Sequence, residues 1–116
     1  MPPTAYASGT QSASVGTEHF LSQPNVPGIF ELRVDSVNMT LGDTLELRTY
    51  VQVLSGVTSR VAYFGKFNGL QGTDDKIKIS TPVANDLAAT GAIRFSLTQS
   101  EGTSRSYDWK VMGYDL

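Results

Sequence analysis

The feature that most constrains the fold is a series of runs of alternating apolar and polar residues between Gly28 and Phe67. Two long runs, residues 29–37 and 44–54, flank a Leu41-Gly42-Asp43 turn, and a third run covers residues 58–67. Neighbouring side chains of a strand point to opposite faces, so a half-buried strand has a period of two. The pattern predicts antiparallel strands that each place one face in a core.

The alternation assigns a face to each residue of the first two runs. The predicted core set is Phe30, Leu32, Val34, Leu45, Leu47, Thr49, Val51 and Val53. The predicted solvent set is Glu31, Arg33, Asp35, Glu46, Arg48, Tyr50, Gln52 and Leu54. The outward side becomes more apolar toward Tyr50 and Leu54, and the third run adds Phe64. An exposed apolar patch is typical of a contact surface, so these three residues are candidate interface residues.

Further strand patterns lie on both sides of this region. Residues 10–22 are strand-like but broken at Gly16, which predicts a bulge or a change of sheet. Residues 83–90 predict either an ordered loop or one helical turn. Two more alternating strands are predicted around Phe95 and Trp109, and the latter is expected to pack in the core.

The whole pattern predicts an all-β, single-domain antiparallel β-sandwich or jelly roll of about seven to eight strands over residues 10–116. A chain of 116 residues is long enough for one core and too short for two. An immunoglobulin-like topology is an alternative, but the chain has no cysteine and so lacks the Cys…Trp…Cys arrangement of that fold.

Residues 1–9 have a different composition, with two prolines and several small residues. Such a segment buries too little surface to order itself, which predicts a flexible terminus or an extended arm ordered by a neighbouring subunit. In the second case Tyr6 is the expected anchor and a further candidate interface residue. Removal of residues 1–9 is then expected to weaken assembly and to leave the domain folded.

Charge and hydropathy argue against two classes of partner. The nine basic residues are scattered and the net charge is −2, so no basic stripe is present to bind nucleic acid. No apolar run is long enough to span a membrane. The first residues lack the basic and apolar regions of a secretory signal peptide, so we expect synthesis in a cytoplasm, which agrees with the absence of cysteine.

The sequence offers no catalytic constellation and predicts no enzyme and no cofactor. His19 is the only histidine, and the adjacent Glu18 lies on the opposite face of a strand and cannot orient it. A surface or subunit-contact role is predicted for His19. Asp74 and Asp75 could contribute to a calcium site, but the spaced pattern of dedicated calcium loops is missing.

The aromatic residues leave two interpretations open. The tyrosines at 50, 107 and 114, with Phe64 and Trp109, could stack on sugar rings, as in a carbohydrate-binding module. They could instead lie in the core or at a subunit interface, where aromatic side chains are enriched.

Three segments resemble small proteins encoded among the virion genes of tailed bacteriophages. They are Gly16-Thr17-Glu18-His19, the stretch from Val34 to Met39 followed by Gly42 to Arg48, and Gly102 to Arg105 followed by Trp109-Lys110-Val111. The resemblance covers about residues 10 to 112 and consists of turn and strand patterns. It implies a structural part of the virion, such as a head decoration, cement or accessory subunit, and it supplies no functional residues.

The expected function is therefore a non-enzymatic virion protein that binds the capsid lattice or other virion proteins and also itself. The expected location is the virion. The alternative is a receptor- or glycan-binding module of a tail or host-facing appendage.

Overall fold

The computed structural model describes residues 4–86 and 92–114, which form two packed antiparallel sheets. The nine strands of this described part are β1 (Thr4–Ser12), β2 (Glu18–Ser22), β3 (Gly28–Asp35), β4 (Thr44–Val51), β5 (Arg60–Asn68), β6 (Ile77–Ile79), β7 (Val83–Asn85), β8 (Ile93–Glu101) and β9 (Ser106–Tyr114). The predicted all-β single-domain sandwich is confirmed.

The strand order identifies the sandwich as a jelly roll. The first sheet has the order β1-β9-β3-β6, with β7 also paired to β3, and the second has the order β2-β8-β4-β5. Since β6 and β7 pair with different parts of β3, they act as two halves of one edge strand. Counted in that way, the described strands form two four-stranded sheets of the eight-strand jelly-roll type, which excludes the immunoglobulin-like alternative.

The core lies between the sheets and is filled by the inward residues of both. The fully or nearly fully buried apolar residues include Phe30, Leu32, Val34, Leu45, Leu47, Ile93, Phe95, Leu97, Tyr107 and Val111. Most of the core set predicted for β3 and β4 is therefore confirmed. Trp109 is half-buried and packs against this cluster.

The burial predicted for two residues was wrong. Val53 is 73% exposed because β4 ends at Val51, so the alternation no longer applies beyond that residue. Glu31 is buried although it points to the outer side of the first sheet. The Tyr114 hydroxyl donates to it at 2.9 Å and the Arg33 guanidinium pairs with it at 3.0 Å, and these two side chains cover the carboxylate.

At Gly16, where the strand pattern of the sequence is broken, the chain passes from one sheet to the other. Gly16 has a φ of +87°, and the turn around it takes the chain from β1 in the first sheet to β2 in the second. The backbone N–H of Ser14 donates to Nε2 of His19 at 3.1 Å, so this histidine holds the turn together.

The segment predicted as an arm differs in the structure. Residues 1–3 lie outside the described residues, but from Thr4 onward the chain is part of β1, which pairs along β9 as far as Ser12 opposite Ser106. The Tyr6 ring meets Phe30 edge-on at 5.3 Å. Contacts within the same chain thus order this segment, and no boundary falls at residue 9.

The segment predicted as a loop or helical turn begins as a strand, β7, which covers Val83–Asn85. Asn85 is fully buried, and its side-chain amide donates to the carbonyl oxygens of Pro24 and Val26 at 3.1 and 2.9 Å. Residues 87–90, the rest of that prediction, lie outside the described residues.

Candidate functional site: the outer face of the second sheet

The most distinctive surface is the outer face of the second sheet. In β4 the inward residues Leu45, Leu47 and Thr49 are buried, and the alternating residues Glu46, Arg48 and Tyr50 point outward. The register places matching outward residues on the neighbouring strands. Phe20 on β2 lies opposite Ser96 on β8, Ser96 opposite Arg48, and Arg48 opposite Phe64 on β5.

Five side chains dominate this surface, which we call the arginine–aromatic face: Phe20, Arg48, Tyr50, Phe64 and Arg94. Phe20 is 51% exposed and Phe64 is 50% exposed. Arg94 lies opposite Tyr50 in the sheet. The face spans all four strands, so its side chains are positioned by strand pairing and not by a loop.

The two arginines of the face are stacked on its rings. The Arg94 guanidinium carbon lies 4.6 Å from the Phe20 ring centroid and 5.1 Å from that of Tyr50. The Arg48 guanidinium lies 4.8 Å from the Phe64 centroid and also binds Glu46 at 2.8 Å. Cation–π stacking restricts the rotamers of these long side chains before a partner binds. Binding therefore costs less side-chain entropy.

The partly buried carboxylate of Glu18 supports the face. Its Oε2 accepts hydrogen bonds from the Tyr50 and Ser96 hydroxyls, both at 2.6 Å. Burial acts to raise the pKa of Glu18, but these two hydrogen bonds and the charges of Arg48 and Arg94 outweigh it and lower the pKa below its ordinary value. Glu18 is therefore ionised at neutral pH and is a poor proton donor or base there.

Shallow cavities border both sheets in the described part of the chain. One, of about 340 Å³, borders the arginine–aromatic face and is lined by Phe20, Leu21, Ser22, Gln23 and Arg94. Another, of about 310 Å³, lies on the first sheet and is lined by Arg33, Val34, Asp35, Ile77, Asp108, Trp109 and Lys110.

The four candidate interface residues do not form one site. Tyr50 and Phe64 both belong to the arginine–aromatic face, where Arg94 stacks on Tyr50 and Arg48 stacks on Phe64. Leu54 is 64% exposed but lies in the loop between β4 and β5, outside the paired part of the sheet. Tyr6 is on the first sheet, and its hydroxyl donates to Oδ1 of Asn25 at 3.0 Å, so it anchors β1 to its own domain.

Sequence reasoning missed Phe20, Arg48 and Arg94 as members of the site. Their outward orientation follows from the alternation, but their proximity depends on β2 pairing with β8 and β8 with β4. These strands are far apart in sequence, and no local pattern encodes which of them become neighbours. The one available signal was a set of arginines at outward positions of apolar strands.

A second polar group, the Asp43 cluster, lies at one end of the sandwich and consists of Thr40, Asp43, Gln99, Thr103, Arg105 and Tyr107. Asp43 is 1% exposed and accepts from the Arg105 guanidinium at 2.9 Å and from the backbone N–H groups of Thr40 and Thr103. Burial would raise the pKa of Asp43, but these hydrogen bonds and the Arg105 charge lower it.

The remaining members of the Asp43 cluster also have hydrogen-bond partners within the cluster. The hydroxyl of Tyr107 donates to Oε1 of Gln99 at 3.0 Å, and Nε2 of Gln99 donates to the Thr103 carbonyl at 2.6 Å. Burial, and next the Asp43 charge, raises the pKa of Tyr107 to about 12. The cluster consists of side chains that bind one another, which is typical of a structural role.

The described residues also lack the features of two other kinds of site. No group of three or more histidine, aspartate or glutamate side chains in that part of the chain is arranged to hold a metal ion. The same residues include no helix with the length and hydropathy needed to cross a membrane. Comparison of the chain with protein-family models, with curated proteins and with solved structures found no match.

Proposed function

We propose that the chain is a non-enzymatic structural subunit of a tailed-phage virion, such as a head decoration, cement or accessory protein. In this role it binds the capsid lattice or another virion protein through the arginine–aromatic face, and it also binds itself. The observation that carries the proposal is the set of arginine side chains stacked on exposed rings across four strands.

The composition of the face matches that of protein-binding hot spots. Arginine and aromatic residues supply a large share of interface energy, because they bury much surface and lose little side-chain freedom. Arg94 adds a feature of its own, since its guanidinium contacts Phe20 and Tyr50 and forms no ion pair within the described residues. Its N–H groups can therefore bind a carboxylate or carbonyl of a partner.

The same stacking argues against sugar binding at this face. A sugar ring packs against the flat side of an aromatic ring, but the guanidinium groups of Arg48 and Arg94 already cover one side of each of the three rings. Protein side chains can approach the exposed edges and the guanidinium groups without displacing them.

The fold is compatible with the proposal but does not decide it. Jelly rolls occur in viral capsid proteins and also in lectins, and a fold of this kind carries many functions. The resemblance of the turn and strand segments to virion proteins is what favours the phage context, and the virion is the proposed location.

The non-enzymatic part of the proposal rests on the chemistry of the candidate groups. Ser96, whose hydroxyl donates a hydrogen bond to Glu18 at 2.6 Å, is completely buried. Because the pKa of Glu18 is lowered, it does not activate that hydroxyl at neutral pH.

A glycan-binding module is the second candidate function, and the cavity on the first sheet favours it. There the half-buried Trp109 lies beside Asp35, Asp108 and Lys110, a combination of one aromatic ring and several hydrogen-bonding groups. Such a site predicts binding to particular sugars on a glycan array and loss of that binding in Asp108→Ala.

Mass spectrometry of purified virions, combined with electron microscopy of the particle, tests the proposal. The expected result is a stoichiometric virion protein whose arginine–aromatic face contacts a neighbouring subunit. Absence of the protein from virions would overturn the proposal. Glycan binding by the isolated chain, together with an arginine–aromatic face that is open in the particle, would favour the second candidate.

A further inference from the structure

The strand β5, Arg60–Asn68, is an open edge of the second sheet. Within the described residues it pairs with β4 on one side and with no strand on the other. An open edge presents a row of unpaired N–H and C=O groups, which is a template for another strand.

The hydrogen-bond pattern shows which groups of β5 face the open side. The backbone N–H of Gly69 donates to the carbonyl of Asp43 at 2.7 Å. Bonded pairs alternate along an antiparallel ladder, so residues 63, 65 and 67 also bond to β4, and Phe64 and Lys66 direct their backbone groups outward. On the other side of β4, the N–H of Gln52 donates to Ala92 at 2.7 Å, which agrees with this alternation.

The other edges in the described part of the chain are less suited to pairing. β2 has five residues and an irregular register after Phe20, and β6 and β7 have three residues each. β1 has nine residues but carries small and polar side chains beyond its irregularity at Tyr6. β5 is as long as β1 and carries Tyr63, Phe64 and Phe67.

We propose that β5 pairs antiparallel with β5 of a second copy of this chain, with Gly65 on the two-fold axis. In this register Phe64 lies opposite Lys66 of the second copy, and Tyr63 lies opposite Phe67 of the second copy. The two Phe64–Lys66 pairs supply four backbone hydrogen bonds. An isologous contact of this kind uses the same patch on both copies and closes as a dimer.

The side chains of β5 favour this register over its neighbours. An axis at Lys66 would place two ammonium groups directly opposite each other, which is unfavourable. An axis at Phe64 would extend the pairing through Ala62, the extra residue of an irregularity in the β4–β5 ladder. The axis at Gly65 brings a lysine against an aromatic ring on the outer face and opposes no like charges.

The inward side chains of β5 are also compatible with such a contact. The Tyr63 hydroxyl and the Phe67 ring close over Gly65, so that a Cβ placed there would meet them at 2.7 and 3.1 Å. Both rings are half-buried at the margin of the core. Pairing would therefore join two layers of aromatic side chains and leave the glycines free to approach each other.

The dimer would place two copies of the arginine–aromatic face on one continuous eight-stranded sheet, with both Phe64 side chains near the junction. This inference rests on the proposed function for its biological purpose, which is a doubled binding surface. It is tested with the purified chain in solution, so its failure is distinguishable from a failure to bind virions.

Directed disulfide formation tests the register, because the chain has no cysteine of its own. Phe64→Cys and Lys66→Cys chains are mixed under mild oxidation, and Ser8→Cys in β1 is the control edge. Directly bonded residues lie about 5.5 Å apart between Cα atoms, within the range of a disulfide. We expect the mixed 64–66 dimer to predominate over both homodimers and over any dimer of the control.

Sedimentation of the full chain gives the second measurement. We expect a monomer–dimer equilibrium, with Lys66→Pro raising the dissociation constant about tenfold, because it removes an outward N–H from each copy. Lys66→Ala, the matched control, keeps that N–H and is expected to raise the constant only about threefold.

Two results would overturn the proposal. One is a wild-type chain that stays monomeric at millimolar concentration. If β5 of such a chain became protected only on a particle, the edge would be assigned to another virion protein. The other is a dimer in which Phe64→Cys homodimers or control dimers form as readily as the mixed dimer.

Discussion

The Asp43 cluster and the arginine–aromatic face both combine arginine, tyrosine and a carboxylate, yet they are built in opposite ways. In the Asp43 cluster the carboxylate is buried and every named partner binds another member of the cluster. On the face the carboxylate of Glu18 is only partly buried, and the two arginines stack on rings at the sheet surface.

The difference separates stability from recognition within one small fold. A polar group that is fully satisfied inside the chain has no donor left for a partner, and its removal leaves buried groups unpaired. An arginine stacked on a ring keeps its N–H groups available and contributes little to folding, because it is already partly hydrated. The first region should therefore respond to mutation in its stability, and the second in its binding.

The largest expected effect on stability is at Asp43. We expect Asp43→Asn to lower the free energy of unfolding by about 3 kcal/mol, because it removes the charge that Arg105 and two backbone N–H groups bind. Urea unfolding measures the change, and Asp74→Asn, at an exposed loop position, is the control with an expected change within about 0.5 kcal/mol. Equal effects of the two substitutions would remove the distinction between the regions.

Tyr6 is expected to behave like the Asp43 cluster and not like the face. Tyr6→Ala removes an edge-on contact with Phe30 and two hydrogen bonds with Asn25, and we expect a loss of about 2 kcal/mol in the free energy of unfolding. Phe64→Ala, which removes an exposed ring, is the matched control and should cost less than about 1 kcal/mol. If Tyr6→Ala were silent in unfolding and reduced virion binding, the arm interpretation would be restored.

Thr49 is a polar residue inside the core, and we expect its replacement to change the free energy of unfolding by a smaller amount and in the stabilising direction. It is fully buried, and its hydroxyl has no hydrogen-bond partner within the described residues. We expect Thr49→Val to raise the free energy of unfolding by about 1 kcal/mol, because the substitution removes the cost of an unpaired buried hydroxyl. Thr58→Val in the exposed β4–β5 loop should leave it unchanged, and a destabilised Thr49→Val chain would contradict the expectation.

The pH dependence of stability should divide the two regions in the same way. The folded-state pKa is lowered for both Asp43 and Glu18, so the stability they confer is present above the ordinary carboxyl pKa and is lost as the pH falls through the lowered values. Below about pH 4 we expect wild-type stability to fall more steeply than that of Asp43→Asn. Glu18→Gln should flatten the profile less, and identical profiles for all three chains would rule out this linkage.

The sequence predicts the sandwich and most of its core because both depend on local alternation. Phe30, Leu32, Leu45 and Leu47 are assigned to the core by the period of two alone. Val53 is misassigned because the alternation continues past the end of the strand, where no partner strand holds it.

The candidate site is only partly predictable, because its members come from strands distant in sequence. Alternation gives the outward orientation of Tyr50 and Phe64, but the stacking of Arg94 on Phe20 follows from the order of strands in the sheet. The composition of the N-terminal segment also misleads. Small residues and prolines predict an arm, whereas the backbone of β1 is satisfied by β9 without large side chains.

Affinity for virion particles that lack the protein shows whether the arginine–aromatic face is the binding surface. The comparison uses the wild-type chain, a Phe20→Ala/Arg94→Ala chain, and a Lys110→Ala control on the outer face of the first sheet. We expect binding to be weakened by about 30-fold or more in the double variant, with its unfolding midpoint nearly unchanged, and wild-type affinity for the control. Equal affinity of the double variant and the wild type would contradict the claim that the arginine–aromatic face is the binding surface.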